Sequence, residues 1–213
     1  MLVGIMGDLH QAYWMLQNFR PGDVDLAIQV GDFGFIHRVY PYEKPAVPVW
    51  FIDGNHDSIV WLKERSNNYQ RKVVINKNLT YVPRGWVEQI GSKVFGFMGG
   101  ADTPSWARAP FKKSGLWYPE EQISHEDVNR LRHNLNGRKL DILICHEPPV
   151  EVKYAARLGV TEGESAFRLQ EIVKEFKPEK VFCGHMHASF TYVIGNSTVV
   201  KQLDEFEICT LEV

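Results

Sequence analysis

Short apolar runs punctuate this chain, and each ends in glycine or a polar residue. "LVGIM" (2–6), "DLAIQVG" (25–31), "PVWFIDG" (48–54), "DILICH" (141–146) and "KVFCGH" (180–185) are near-continuous in apolar character rather than alternating. Such runs predict strands buried on both faces, the usual condition of a parallel sheet. Between them the apolar spacing becomes helical. From Leu9 onward, Ala12, Leu16 and Phe19 share one face. In "SHEDVNRLRHNLNG", Ser124 and Asp127 predict a capping box, Val128, Leu131 and Leu135 form a stripe, and Gly137 ends it. In "TEGESAFRLQEIVKEFKP", Thr161 and Glu164 are candidate caps, while Ala166, Leu169, Val173 and Phe176 face a core. Pro178 lies past its end.

Two stretches read as paired strands: residues 87–100, turning at Gly91-Ser92, and residues 188–213, turning near Gly195-Asn196. Strands alternating with helices, and hairpins in the middle and at the end, predict an α/β sandwich of mixed sheets. Residues 101–120, "ADTPSWARAPFKKSGLWYPE", carry aromatic, proline and basic residues without a period. They predict a long loop that lids a site. Trp106, Trp117 and Tyr118 within it are candidates either to stack a nucleobase or to anchor the loop.

The residues that end the buried runs carry the chemistry. After the first run comes Gly7-Asp8-Leu9-His10, after the second Gly31-Asp32-Phe33-Gly34, and after the third Gly54-Asn55-His56-Asp57. The fourth delivers His146, and the fifth Gly184-His185-Met186-His187. Carboxyl ends of parallel strands open onto one crevice, so these side chains are expected to converge. Five of the eight histidines fall at these ends, which a scatter of surface residues would not do. His185 and His187 alone leave two readings open, as ligands or as solvated loop residues.

Composition narrows the class. With 213 residues, 44% of them hydrophobic, one sizeable core is expected, and residues 1–213 are taken as a single domain. A formal net charge of −2 excludes a bulk basic surface for nucleic acid and leaves only local patches. The N-terminus lacks the pattern of a cleaved leader, and no stretch reaches the roughly 18–20 apolar residues that span a bilayer. A soluble, cytoplasmic protein without membrane association is expected. Cys145, Cys183 and Cys209 are widely separated and form no CxxC, which fits a reducing compartment.

The ordered series D-x-H, GD, GNHD, H and GHxH, spanning positions 8 to 187, resembles the calcineurin-like metallophosphoesterases. These are binuclear-metal phosphatases and phosphodiesterases. The resemblance implies a four-layer α/β/β/α sandwich with two mixed β-sheets. It also implies that Asp8, His10, Asp32 and His187 hold one metal ion, and that Asp32, Asn55, His146 and His185 hold a second, with Asp32 bridging. His56 matches the family's non-ligand histidine near the leaving group, and Asp57 the acidic position after it. Asp57 is equally a candidate cap for a helix over "DSIVWLKE".

The implied reaction is hydrolysis of a phosphate ester by a metal-bridging hydroxide attacking phosphorus. Imidazole-rich ligation suits Mn, Fe, Zn, Co or Ni better than Mg or Ca, with Mn the first expectation. The second motif, "GDFGFIHR", lacks the DRG element with which protein Ser/Thr phosphatases continue. Arg38, Arg84 and Arg108 are the alternative candidates to contact substrate phosphate. A phosphodiester or nucleotide-type substrate, nucleic acid included, is therefore favoured over a phosphoprotein. The alternatives are a phosphomonoesterase or protein phosphatase, and a non-catalytic scaffold of the same fold.

Overall fold

A computed structural model describes residues 1–36, 44–113, 117–157 and 163–213 of the chain. The first half runs β1 (Leu2–Met6), a 3₁₀ turn (Tyr13–Asn18), β2 (Leu26–Gln29), β3 (Val49–Phe51), α1 (Ile59–Arg65), β4 (Val73–Asn76), β5 (Leu79–Tyr81), β6 (Trp86–Ile90), β7 (Lys93–Met98) and α2 (Ser105–Lys113). The second half adds a 3₁₀ turn (Pro119–Glu121), α3 (His125–Leu135), β8 (Ile142–Cys145), α4 (Val150–Ala155), α5 (Ser165–Phe176), β9 (Lys180–Cys183), β10 (Phe190–Ile194), β11 (Thr198–Gln202) and β12 (Ile208–Glu212).

The strands form two six-stranded mixed sheets, ordered β12-β1-β2-β3-β5-β4 and β10-β11-β9-β8-β7-β6. Each has four parallel strands at its centre and one antiparallel strand at either edge. Side-chain alternation along these strands creates the layers. Val3, Ile5, Leu26 and Ile28 point inward to meet Phe95, Phe97, Ile142 and Ile144 of the other sheet. Residues of opposite parity, Met6, Ala27, Val49 and Phe51, pack outward against Leu16, Phe19 and Leu62. On the far side Leu143, Cys145 and Val181 pack against Val128, Leu131, Leu169 and Val173. The order helix, sheet, sheet, helix follows from that alternation.

The structure departs from the sequence reading in several places. The stretch after β1 makes a 3₁₀ turn rather than an α-helix, although Leu16 and Phe19 are buried in it. The expected loop at 101–120 contains α2, which tolerates Pro110 within it. β10 and β11 form the expected hairpin, but β12 crosses to the other sheet and pairs antiparallel with β1, from Leu2↔Glu212 to Met6↔Ile208. α3 has its capping box: Asp127 N–H donates to Ser124 Oγ at 3.2 Å, and Ser124 N–H to Asp127 Oδ2 at 2.9 Å. α5 starts at Ser165 without a side-chain cap from Glu164, and Thr161 lies outside the described residues. A distant carboxylate serves its N-terminus, with Ser165 N–H donating to Asp102 Oδ2 at 2.8 Å. No helix of the described residues is long and apolar enough to cross a membrane.

Candidate metal centre

The parallel strands of both sheets end at one crevice. β1, β2 and β3 of the first sheet lead to Asp8, Asp32 and Asn55, and β8 and β9 of the second lead to His146 and to His185 and His187. Two groups of metal-competent side chains result: Asp8, His10, Asp32 and His187 in one, and Asp32, His146 and His185 in the other. Within each group the potential ligand atoms lie within 4.8 Å of one another, and Asp32 belongs to both. His10, Asp32, His185 and His187 all have positive φ, at 43°, 51°, 71° and 45°. Each such residue carries a cost of about 1–2 kcal/mol, so the surrounding fold enforces these turns. The turns put His185 and His187 into different groups.

Close packing fixes the strand ends. A Cβ on Gly54 would lie 2.1 Å from Asp32 Oδ1 and 2.6 Å from His146 Nε2, and one on Gly184 would lie 2.0 Å from Asp8 Oδ1. Asp32 Oδ1 accepts the His56 N–H at 2.8 Å, and Asp8 Oδ2 accepts the His185 N–H at 2.9 Å. The His10 and His187 Nε2 atoms face each other at 3.0 Å, and His187 Nε2 lies 3.3 Å from Asp8 Oδ2. His146 Nδ1 is held at 3.0 Å by the Val30 carbonyl, which turns Nε2 toward Asp32 Oδ1, 3.3 Å away.

Three buried atoms at the crevice have no hydrogen-bond partner: Asp32 Oδ2, Asn55 Oδ1 and His146 Nε2. Buried polar atoms are ordinarily paired, and three left open by neighbouring residues suit the ligands of a cation. The charges agree with that fit. Burial works to raise the Asp32 carboxyl, but His146 outweighs it and holds Asp32 well below the usual range. Burial likewise opposes a charge on His146, but Asp32 and Asp8 push it up to about 10. Burial and then the charge of His146 hold His185 well below an ordinary histidine. The buried Asp32 carboxylate is thus stabilised by positive charge beside it, which a divalent cation would supply in place of the His146 proton.

His56 sits exposed at the mouth of the crevice, its ring 5.3 Å from that of His10 and 6.1 Å from Phe111 of α2. Asp57 is buried and neither caps α1 nor hydrogen-bonds His56. Its Oδ1 accepts the Phe35 N–H at 2.6 Å and its Oδ2 the Gly54 N–H at 2.8 Å, which ties two ligand-bearing loops together. Burial, then the charge of Asp32, pushes its carboxyl up to about 8.

The arginine candidates separate. Arg84 is a buried structural ion pair and not a surface phosphate contact. Its Nε and Nη2 donate to Asp53 Oδ2 at 2.8 and 2.6 Å, while Nη1 and Nη2 donate to the Gln122 and Glu121 carbonyls. Arg108, on α2, donates from Nε to the Thr103 carbonyl at 2.7 Å, and its Nη2 lies 4.0 Å from the buried Asp102 Oδ1. Arg38 lies outside the described residues.

Some supporting residues carry no motif in the sequence. Gln29 donates to the carbonyls of Gly7 (3.2 Å) and Gly31, bracing the loops that bear Asp8 and Asp32. Gln202 does the same for the Gly184 carbonyl in the second sheet. Glu205 Oε1 lies 3.6 Å from His187 Nδ1. The only sequence signal for the glutamines is a polar residue ending an apolar strand.

The crevice, at the strand ends of two mixed sheets, gathers side chains that could hold metal ions. The family model for the calcineurin-like phosphoesterases matches residues 1–189, and the chain belongs to that family. The family uses divalent metals, and the Asp/His groups are the candidate ligands here. No match was found among curated proteins. The fold is similar to that of the protein TT1561 from Thermus thermophilus, at 12% identity and a TM-score of 0.58, covering 96% of this chain and 89% of that one. A dimetal phosphatase from Danio rerio aligns at 11% identity and 0.55, over 96% and 87% of the two chains. Phosphopantetheinyl hydrolase from Mycobacterium tuberculosis aligns at 14% and 0.52, over 95% and 89%.

Proposed function

We propose that this protein is a binuclear-metal-dependent hydrolase of phosphate esters, with a phosphodiester or nucleotide-type substrate favoured over a phosphoprotein. The observation that carries the reading is the set of open buried atoms on Asp32, Asn55 and His146, with Asp32 common to both ligand groups. Asp8, His10, Asp32 and His187 would hold one ion, and Asp32, Asn55, His146 and His185 the other. When bound, two divalent ions, Mn first among them, supply phosphoryl charge neutralisation and a nucleophile active at neutral pH.

The remaining steps belong to the chain itself. The backbone N–H of His56 is tied to Asp32, which anchors this residue at the mouth of the site, where its exposed imidazole can protonate a leaving oxygen. Asp57 holds the Phe35 and Gly54 loops in register and acts on the chemistry through them. Arg108, partly exposed on α2, is the arginine candidate left among the described residues for a phosphate oxygen, and Trp106, 80% exposed on the same helix, offers a stacking face for a base.

The test is hydrolysis of bis-p-nitrophenyl phosphate against p-nitrophenyl phosphate with added Mn, for the wild type and Asp32→Asn. The wild type should prefer the diester in kcat/KM, and the variant should lose about 100-fold or more. Wild-type inactivity on both substrates, or an equally active variant, refutes the assignment. A preference for the monoester refutes the diester reading alone.

A further inference from the structure

An asparagine can serve a cation only through its oxygen, because the amide nitrogen has no lone pair to give. Rotating the Asn55 amide by half a turn exchanges oxygen and nitrogen at little steric cost. What fixes the choice must lie on the other side of the side chain. There, Asn55 Nδ2 donates to Thr103 Oγ1 at 3.3 Å, and the Thr103 hydroxyl donates to Glu121 Oε2 at 2.8 Å. Glu121 Oε1 accepts two further donors, the Thr103 N–H at 2.7 Å and Trp117 Nε1–H at 2.9 Å.

A hydroxyl has one proton, and a carboxylate can only accept. The Thr103 proton is therefore committed to Glu121, and Thr103 turns only lone pairs toward Asn55. The amide NH₂ is the one group that can meet them, so Oδ1 is left facing the crevice, where it is buried and unpaired. We propose that Thr103 and Glu121 form a hydrogen-bond relay whose polarity aims the Asn55 oxygen at the ion position shared by Asp32, His146 and His185. Both are positioning residues, and the inference rests on the functional reading above, in which Asn55 is a ligand.

Glu121→Gln reverses the relay almost without change of shape. The two donors at Oε1 force the glutamine oxygen to stay there, which puts its NH₂ against Thr103 Oγ1. The hydroxyl proton then turns toward Asn55, and the amide flips to present nitrogen to the ion. Thr103→Val removes the relay, and Thr103→Ser keeps it.

The experiment is calorimetric titration of each metal-free 213-residue chain with Mn²⁺ at pH 8, with the EPR signal of bound Mn read in parallel and circular dichroism verifying the fold. Wild type and Thr103→Ser should bind two ions and give the signal of a coupled pair. Thr103→Val and Glu121→Gln should keep one ion, bind the other about 10–100-fold more weakly, and give the six-line signal of an isolated ion. Unchanged binding by both variants overturns the relay and leaves the functional reading intact. So does loss of both ions in a folded Glu121→Gln, because the relay reaches Asn55 alone. If the wild type binds no Mn²⁺, the functional reading fails and the relay falls with it. Should Thr103→Val not fold, Glu121→Gln decides.

Discussion

Arg84→Met separates a structural arginine from a substrate-binding one. In the wild type the guanidinium and Asp53 are both almost fully buried and meet at 2.6 Å. Asp53 also accepts Tyr81 Oη–H at 2.8 Å, and Arg84 serves the Glu121 and Gln122 carbonyls. Methionine keeps much of the volume but strands the Asp53 charge and two carbonyls. Breaking one side of a buried pair costs about 3–5 kcal/mol. For a chain of this size that lowers Tm by roughly 10 °C. Adding Asp53→Asn removes the stranded charge and should recover a substantial part of the loss, a coupling that a double-mutant cycle in urea resolves. A single variant with wild-type stability and a raised KM for a phosphodiester would refute the reasoning and return Arg84 to the substrate.

Two further outcomes follow from individual residues. Burial pushes the Glu121 carboxyl up to about 6 from an ordinary 4.5, so between those values the folded chain holds a proton that the unfolded chain has released. Its contribution is therefore a cost that is absent below pH 4.5, grows as pH rises, and levels off above 6 at roughly 2 kcal/mol. Glu121→Gln should remove that part of the slope, and a wild-type-minus-variant stability difference that is flat from pH 4.5 to 7 would contradict it. Gly54→Ala places a methyl 2.1 Å from Asp32 Oδ1 and 2.4 Å from its backbone nitrogen. It should destabilise the chain by about 1–3 kcal/mol and impair Mn²⁺ binding, and an unaltered calorimetric titration would refute the close approach.

The strands that carry the site were legible because both of their faces are buried. "LVGIM" and "DILICH" need apolar residues at every position, and the glycine or polar residue that follows marks where the sheet ends. β4 and β5 left no such trace. Residues 73–81 are half exposed and interrupted by Asn76, Lys77 and Asn78, so no apolar run marks these strands. α2 was hidden by Pro110 and by the lack of a stripe, since Ala107 is its one fully buried residue. The ligand candidates stand beside glycines at strand ends and can be read one by one. Their supports cannot, because Thr103 meets Asn55 across 48 positions of chain and Glu121 meets Thr103 across 18, with no shared motif. Arg84 in "VPRGW" looks like a surface charge until Asp53 is seen opposite it. Long-range pairing of buried charges depends on topology, and local composition does not encode it.

The crevice draws four of its seven candidate ligands from the first sheet and three from the second, and Asp8 meets the His185 backbone across 177 positions of chain. Contacts of that sequence separation are among the last a chain can close, because the loop they enclose must first be ordered. The Asp8 carboxylate therefore waits for the end of β9 before it accepts the His185 N–H. A cation held at this seam would tie one sheet to the other and recognise only the completed sandwich. Metal retention would thus report that both halves have closed correctly, in addition to supplying chemistry.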